Sequence, residues 1–230
     1  MTEARRRSLH GRRRGKRLRA GQQSLLETLL PKFLLQLPAG PASVDLAELF
    51  GGCLPEQGVW LEVGFGSGEH LVWQAEQHPK VGLIGCEPFI NGVAKCLASI
   101  QRAGVSNVRL FADDARLVMA ALPDCSLDRV FVLFSDPWPK TRHHKRRFVQ
   151  RANLDVLAQL MKAGAELRLA TDDPSYLPWM VEHACLHHAF EWLAERPGDW
   201  RGRPPDWPPT RYEQKMLAGR KPVFLSFRRR

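Results

Sequence analysis

Apolar residues along this chain fall in short continuous blocks, separated by stretches in which they recur every three or four positions; the alternation reads as strands exchanging with helices. The first block is 59–63 and the second 81–86, and between them a glycine-rich turn at 64–68 opens a helical pattern over 69–78. Strand, turn, helix and strand make a βαβ unit. The pattern continues with a helix at 90–103, a strand at 108–112, a short helix at 115–121, a strand at 129–134, a long helix at 148–162 and a strand at 166–170. Five strands alternating with helices predict an α/β fold with a doubly wound, Rossmann-like and mostly parallel sheet. A helix over 174–187, a strand at 190–195, a Trp/Pro-rich loop from 197 to 209 and a strand at 223–227 follow. No crossover helix separates the last two strands, so they are expected to be antiparallel neighbours at the edge of a seven-stranded sheet. Ahead of this body, residues 22–37 predict a helix broken near Pro31, and 38–42 a Pro/Gly linker. The expected organisation is a basic arm over 1–21 whose composition allows disorder, a helical extension over 22–57, and one domain over 58–230.

Charge changes the picture at the ends. The 230 residues carry a formal net charge of +10, but residues 1–20 hold nine Lys/Arg against one acid and residues 211–230 hold seven against one. The remaining body has 18 basic and 22 acidic residues, so the basicity lies in the termini and in one internal loop, a footprint suited to a polyanion. A hydrophobic content of 44% is ordinary for a globular domain. The five cysteines show no C-x-x-C spacing, which argues against a zinc site or a disulfide framework and for a reducing, cytoplasmic setting. No apolar stretch reaches the ~18 residues of a membrane span, and the Arg-rich start lacks the apolar core of a signal peptide. No metal site, membrane contact or obligate protein partner is expected, and both monomer and homodimer stay open.

The candidate chemistry begins at Leu61-Glu-Val-Gly-Phe-Gly-Ser-Gly-Glu. Gly64, Gly66 and Gly68 alternate, which lets the backbone bend sharply and turn amides toward a ligand at a helix N-terminus. A dinucleotide fingerprint would need glycine at 69, where Glu69 would face a pyrophosphate. The G-x-G-x-G spacing instead resembles the first motif of the class I S-adenosylmethionine (SAM) methyltransferases, with Glu62 two residues before the first glycine, an acid suited to a cofactor carrying an ammonium and a sulfonium. Glu87 ends the second strand, where an acid can bind both hydroxyls of a ribose. Asp114 follows the third strand, at the place where such folds hold an adenine amino group. Each of these acids could instead be a helix N-cap, and glycine turns also serve plain βα packing.

At the end of the fourth strand Asp136 opens the run Asp-Pro-Trp-Pro-Lys-Thr-Arg-His-His-Lys-Arg-Arg. Pro137 and Pro139 stop the strand, Lys140, Arg142, Lys145, Arg146 and Arg147 offer cations, and Trp138, His143 and His144 offer flat rings, a combination suited to phosphates and bases. An acid at the carboxyl end of a buried strand, beside a basic loop, points to chemistry on a nucleic acid.

With these residues in place the chain resembles, over nearly its whole length, the bacterial tRNA (guanine-N7-)-methyltransferase family. The resemblance rests on Arg-Ala-Gly-Gln-Gln-Ser-Leu at 19–25, the glycine turn at 61–68, the Asp136 signature at 136–147, Ala-Thr-Asp-Asp-Pro-Ser-Tyr at 170–176 and Thr-Arg-Tyr-Glu at 210–213. After Glu213 the chain departs from the Arg-Gly pair of many members. The resemblance implies that Glu62, Glu87, Asp114 and Asp136 contact SAM; that Lys140, Asp172, Thr210, Arg211, Tyr212 and Glu213 contact the target nucleotide; and that Arg142, His143, His144, Lys145, Arg146 and Arg147 contact tRNA, with guanine 46 of the variable loop as acceptor. Guanine N7 has no proton to lose, so Asp136 is expected to act by electrostatics and orientation. Asp172 could accept from guanine's N1 and exocyclic amine, or cap the following helix, for which Asp173 is equally placed. Trp207 and Trp200 could stack on an extruded base, although packing at the sheet edge is the plainer role for them. Two other readings stay open: Ser-Asp-Pro-Trp at 135–138 as a variant of the motif that holds an exocyclic amine, and a SAM-bound RNA-binding protein whose catalysis is incidental.

Overall fold

The computed structural model describes residues 11–208 and 221–230. The seven strands named here form one sheet: β1 (Val59–Val63), β2 (Gly82–Cys86), β3 (Val108–Phe111), β4 (Leu127–Leu133), β5 (Met161–Thr171), β6 (Phe190–Trp192) and β7 (Val223–Arg229), in spatial order β3-β2-β1-β4-β5-β7-β6. β1 to β5 run parallel, and β7 is antiparallel to both β5 and β6. The expected antiparallel pair is therefore present, with β7 inserted one place inside the border and β6 outermost.

Every residue of β1 and β2 is buried, as strands covered on both faces require. Alternation decides which side each residue serves. Leu61 and Val63 face a layer made by α6 (Ala115–Met119), α7 (Arg151–Leu160) and α8 (Tyr176–Cys185). Trp60, Phe131 and Leu133 face the other layer, built from α4 (Glu69–Gln77), α5 (Ile90–Ala103) and the loop residue Trp207. Strand order reverses between β1 and β4, so the carboxyl ends of those two strands flank the crevice in which open α/β sheets bind ligands.

The broken helix resolves into α1 (Ala20–Thr28) and α2 (Leu30–Phe33), with Pro31 in the first turn of the second, where its missing N–H costs nothing. Just after α2, Leu34 pairs in parallel with Leu110, and the Leu35 amide donates to the Leu110 carbonyl at 2.8 Å. The extension thus covers the otherwise open edge of β3. Helix α3 (Leu46–Leu49) is capped by Asp45, which accepts from the amides of Ala47 and Glu48. β5 starts directly at the end of α7, and its pairing with β4 shifts between Leu127 and Arg129 beside Gly164, so the strand is longer and the helix shorter than the apolar pattern predicts. The Trp/Pro-rich loop contains one short helix, α9 (Gly198–Arg201).

Candidate active site

The turn after β1 has the backbone that its glycines allow. Gly64, Gly66 and Gly68 all have positive φ, at 74°, 58° and 78°, a region that L side chains avoid. Gly64 and Gly66 line a cavity of about 480 Å³. Gly68 lies outside it, and a Cβ there would stand 2.3 Å from Cys96 Sγ, so the third glycine lets α4 approach α5. A fourth glycine, not anticipated from the sequence, completes the turn: a Cβ on Gly92 would stand 2.2 Å from the Gly66 carbonyl oxygen. A Gly→Ala change inside a helix ordinarily stabilises by about 0.5–1 kcal/mol. At Gly92 the sign should reverse. Gly92→Ala is expected to lower the melting midpoint and weaken binding of a ligand in this cavity by about tenfold or more, whereas Gly21→Ala, with nothing within 4 Å, should do neither. Melting and titration calorimetry on both variants check this; equal behaviour would show that the turn can shift freely.

Glu62, Glu87, Asp114 and Asp136 all border this cavity, with Lys95, Arg116 and Arg146 among the cations around it. Glu62 is 3% exposed and accepts from His70 Nδ1 at 2.7 Å. Glu87 accepts from the Gly66 amide at 2.7 Å and from the Phe89 amide at 2.8 Å, one on each oxygen. Burial nevertheless pushes its pKa above the usual carboxylate range, and the nearby charges of Asp136 and Glu62 push the same way. Asp136 is open to solvent through the cavity, yet the enclosing walls remove enough water to raise its pKa too. Asp114 serves as the N-cap of α6, accepting from the Arg116 amide at 3.0 Å, and the Arg116 guanidinium grips both its oxygens.

Residues expected only as part of a basic arm lie beside this cavity. The Ile90 amide donates to the Arg13 carbonyl at 3.1 Å, the Gly15 amide to Asn91 Oδ1 at 2.8 Å, and Asn91 Nδ2 to the Lys16 carbonyl at 2.7 Å. Arg13 pairs with Asp113, and Gly11 lines the cavity near Asp136.

The loop bearing Asp136 is strained on both sides: Phe134 and Trp138 have φ of 51° and 44°. Such a conformation costs roughly 1–2 kcal/mol for each aromatic residue, so the surroundings must hold it in place. Arg147 does much of that holding, and its position corrects the expectation that it faces RNA. It is 1% exposed; its Nε donates to the Pro137 carbonyl at 2.7 Å and its Nη2 to Ser175 Oγ at 3.0 Å, and its guanidinium lies 5.0 Å from the ring centres of both Tyr176 and Trp179. The 3-10 helix Thr141–Arg146, preceded by Lys140, carries Arg142, His143, His144, Lys145 and Arg146. Lys140, Arg142 and Lys145 are exposed and point outward. Arg146 covers Trp138 at 5.1 Å, His143 meets the edge of the same ring, and His144 packs on Trp179 at 5.3 Å.

At the end of β5 Asp173 takes the cap of α8, accepting from the amides of Ser175 and Tyr176 at 2.8 and 2.9 Å, while Asp172 stays partly exposed in the loop. Trp207 is buried against His70, Phe131 and Phe224, which is the packing role and not a base platform. Thr210, Arg211, Tyr212 and Glu213 lie outside the described residues, as do residues 1–10. His70 and Gln74 were missed from the sequence. The readable signal was two polar residues four apart on the buried face of α4.

A mostly parallel seven-stranded sheet whose last strand runs antiparallel, with a glycine turn and acids converging at the crevice, defines a Rossmann-like methyltransferase. The model of a family described as putative methyltransferase matches residues 56–225. Among solved structures the fold is similar to an rRNA methylase from Streptococcus thermophilus, with TM-score 0.52 and 10% identity over 76% of this chain and 89% of that one. It is also similar to a putative methyltransferase from Streptococcus mutans solved in complex with SAH, with TM-score 0.51 and 10% identity over 77% and 91%. The chain belongs to the tRNA (guanine-N(7)-)-methyltransferase family. It is 54% identical to the member from Rhodospirillum rubrum over 96% of this chain and 87% of that protein, and 47% identical to the member from Azorhizobium caulinodans over 96% and 95%.

Proposed function

We propose that this protein transfers a methyl group from S-adenosylmethionine to N7 of a guanine in tRNA, forming 7-methylguanosine, with guanine 46 of the variable loop as the acceptor and the cytoplasm as the setting. The observation that carries the reading is the convergence of Glu62, Glu87 and Asp136 on one cavity beside the outward cations Lys140, Arg142 and Lys145. The cavity lies within the volume range of small-molecule and cofactor sites, and its acids suit a ligand that bears an ammonium and a sulfonium. When bound, the cofactor supplies a methyl group activated on sulfur.

The chain's own contribution is positioning and charge. Glu62 offers its carboxylate to the ammonium. Glu87 uses one lone pair on each oxygen for Gly66 and Phe89, which leaves acceptor capacity for two ribose hydroxyls. Asp114, already gripped by Arg116, offers an adenine amino group a fixed but shared acceptor. Asp136 would lie by the cofactor's sulfonium and would orient it and, through its ionised form, stabilise the positive charge that develops toward the purine, acting by electrostatics and taking no proton. By the family resemblance Asp172 would read the guanine edge, with Thr210, Arg211, Tyr212 and Glu213 as further contacts to the target nucleotide. Lys140, Arg142 and Lys145 would hold phosphates, with His143, His144 and Arg146 shaping the loop that presents them.

Incubating the protein with methyl-labelled SAM and unmodified tRNA, then digesting the product to nucleosides, is expected to place the label in 7-methylguanosine. Reduction and aniline treatment should cleave the product strand once, in the variable loop. Label on an exocyclic amine, with no cleavage, would refute the assignment.

A further inference from the structure

Glu62 does not stand alone at the back of the cavity; it begins a buried chain of hydrogen bonds that runs down α4. His70 Nδ1 lies 2.7 Å from Glu62 Oε2, His70 Nε2 lies 3.1 Å from Gln74 Nε2, and Gln74 Nε2 donates to the backbone carbonyl of Asp206 at 2.9 Å. Glu62, His70 and Gln74 are 3%, 2% and 0% exposed. The far end is anchored as well, because the Asp206 carboxylate pairs with Arg168 at 2.8 Å and Arg129 at 3.5 Å. The His70 ring is held between Phe131 and Trp207, with ring centres at 4.6 and 5.1 Å.

This chain fixes where the protons sit. A backbone carbonyl can only accept, so the amide nitrogen of Gln74 must be the atom that faces Asp206, whatever the ambiguity of amide orientation in general. That same nitrogen faces His70 Nε2, which must then accept. The single ring proton of His70 is left on Nδ1, donated to Glu62. Gln74 Oε1, turned the other way, is buried with no hydrogen-bond partner among the described residues, a cost that follows from committing the nitrogen to both neighbours. In this tautomer His70 is uncharged. It orients the Glu62 carboxylate without neutralising it, and the negative charge stays available to a cationic ligand in the cavity.

We propose that His70 is a positioning residue for cofactor binding, locked by Gln74 and the Asp206 carbonyl in the tautomer that presents Glu62 to the cavity with its charge uncompensated. The proposal rests on the reading of Glu62 as a contact to the cofactor's ammonium. It is tested by measuring SAM affinity by titration calorimetry, and kcat and KM with tRNA, for the full-length wild type, Glu62→Gln, His70→Phe, His70→Asn and the double variant Glu62→Gln/His70→Phe. His70→Phe is expected to weaken SAM binding by about tenfold, as loss of an orienting partner to a ligand-binding group does, while kcat at saturating SAM changes by less than about threefold. His70→Asn, whose amide N–H can replace Nδ1–H toward Glu62, should recover most of that affinity, although both variants lose the bond to Gln74 and should melt at similar temperatures. The double variant should bind about as weakly as the weaker single one, because His70 acts through Glu62. If Glu62→Gln weakens binding but His70→Phe does not, if the two penalties multiply, or if His70→Asn is no better than His70→Phe, the role assigned to His70 is wrong. Unchanged affinity in Glu62→Gln would overturn the reading of Glu62 itself and this inference with it.

Discussion

Asp136→Asn is expected to lower kcat by about 10²–10³-fold, the usual loss when one preorganised electrostatic group is removed from an active site. Asn keeps the shape of Asp, so the side chain still fits between Pro137 and the cavity, and what disappears is the negative charge. Stability should not follow activity. Burial raises the pKa of Asp136, which means that the folded state favours the protonated form more than the unfolded state does. Its contribution to stability is therefore fully present at low pH and is lost as pH rises through the folded pKa, so at neutral pH the ionised side chain slightly opposes folding. Asn removes that opposition, and the melting midpoint at neutral pH should stay the same or rise. The same shift predicts the pH profile: wild-type rate should fall as pH drops through the raised pKa of Asp136, and that acid limb should be missing from the residual activity of the variant. Rate and melting curves measured across pH check all three results. A variant that keeps more than about a tenth of wild-type kcat would show that the charge of Asp136 is dispensable, since a tenfold loss corresponds to only about 1.4 kcal/mol of barrier.

The order of the elements was legible because parallel strands covered on both faces need continuous apolar blocks, and β1, β2 and β4 supply them. The glycine turn was legible for a similar reason, since alternating positive φ leaves few residues but glycine. Glu62, Glu87, Asp114 and Asp136 could be placed at one edge because Glu62 lies at the carboxyl end of β1 and the other three follow β2, β3 and β4 of the same parallel sheet. Gly92, by contrast, looks like any small residue in a helix, and only the approach of α5 to the Gly66 carbonyl gives it a reason. His70 and Gln74 required knowing which face of α4 meets Glu62. The Arg13–Asp113 pair joins residues a hundred positions apart, so a run of arginines read only as a basic arm. Arg147 was misread because basic residues in sequence look equivalent; the 3-10 turn at Thr141–Arg146 decides which of them points outward and which points in.

That division can be measured. Arg147→Ala is expected to destabilise the fold by about 3 kcal/mol, because it removes charge-assisted bonds to the Pro137 and Ser175 groups, strips a cation from two aromatic faces and leaves a cavity. The effect should reach the site. Pro137 follows Asp136 directly, and without its anchor the strained backbone at Phe134 and Trp138 can relax, carrying the Asp136 carboxylate out of place. Arg147→Lys should recover little, since an ammonium cannot span Pro137 and Ser175 as a planar guanidinium does. Arg142→Ala and Lys145→Ala should behave in the opposite way. Both side chains are exposed, so stability should change by less than about 0.5 kcal/mol. Their tRNA affinity should fall instead, and the slope of log affinity against log salt should shrink by about one for each phosphate that is no longer neutralised. Denaturant midpoints and tRNA binding across a salt series separate the two classes. If Arg147→Ala were as stable as wild type and its salt slope fell by about one, Arg147 would belong with the outward cations after all, and the Asp136 loop would have to be anchored by other contacts, among them the Ser135–Tyr176 hydrogen bond.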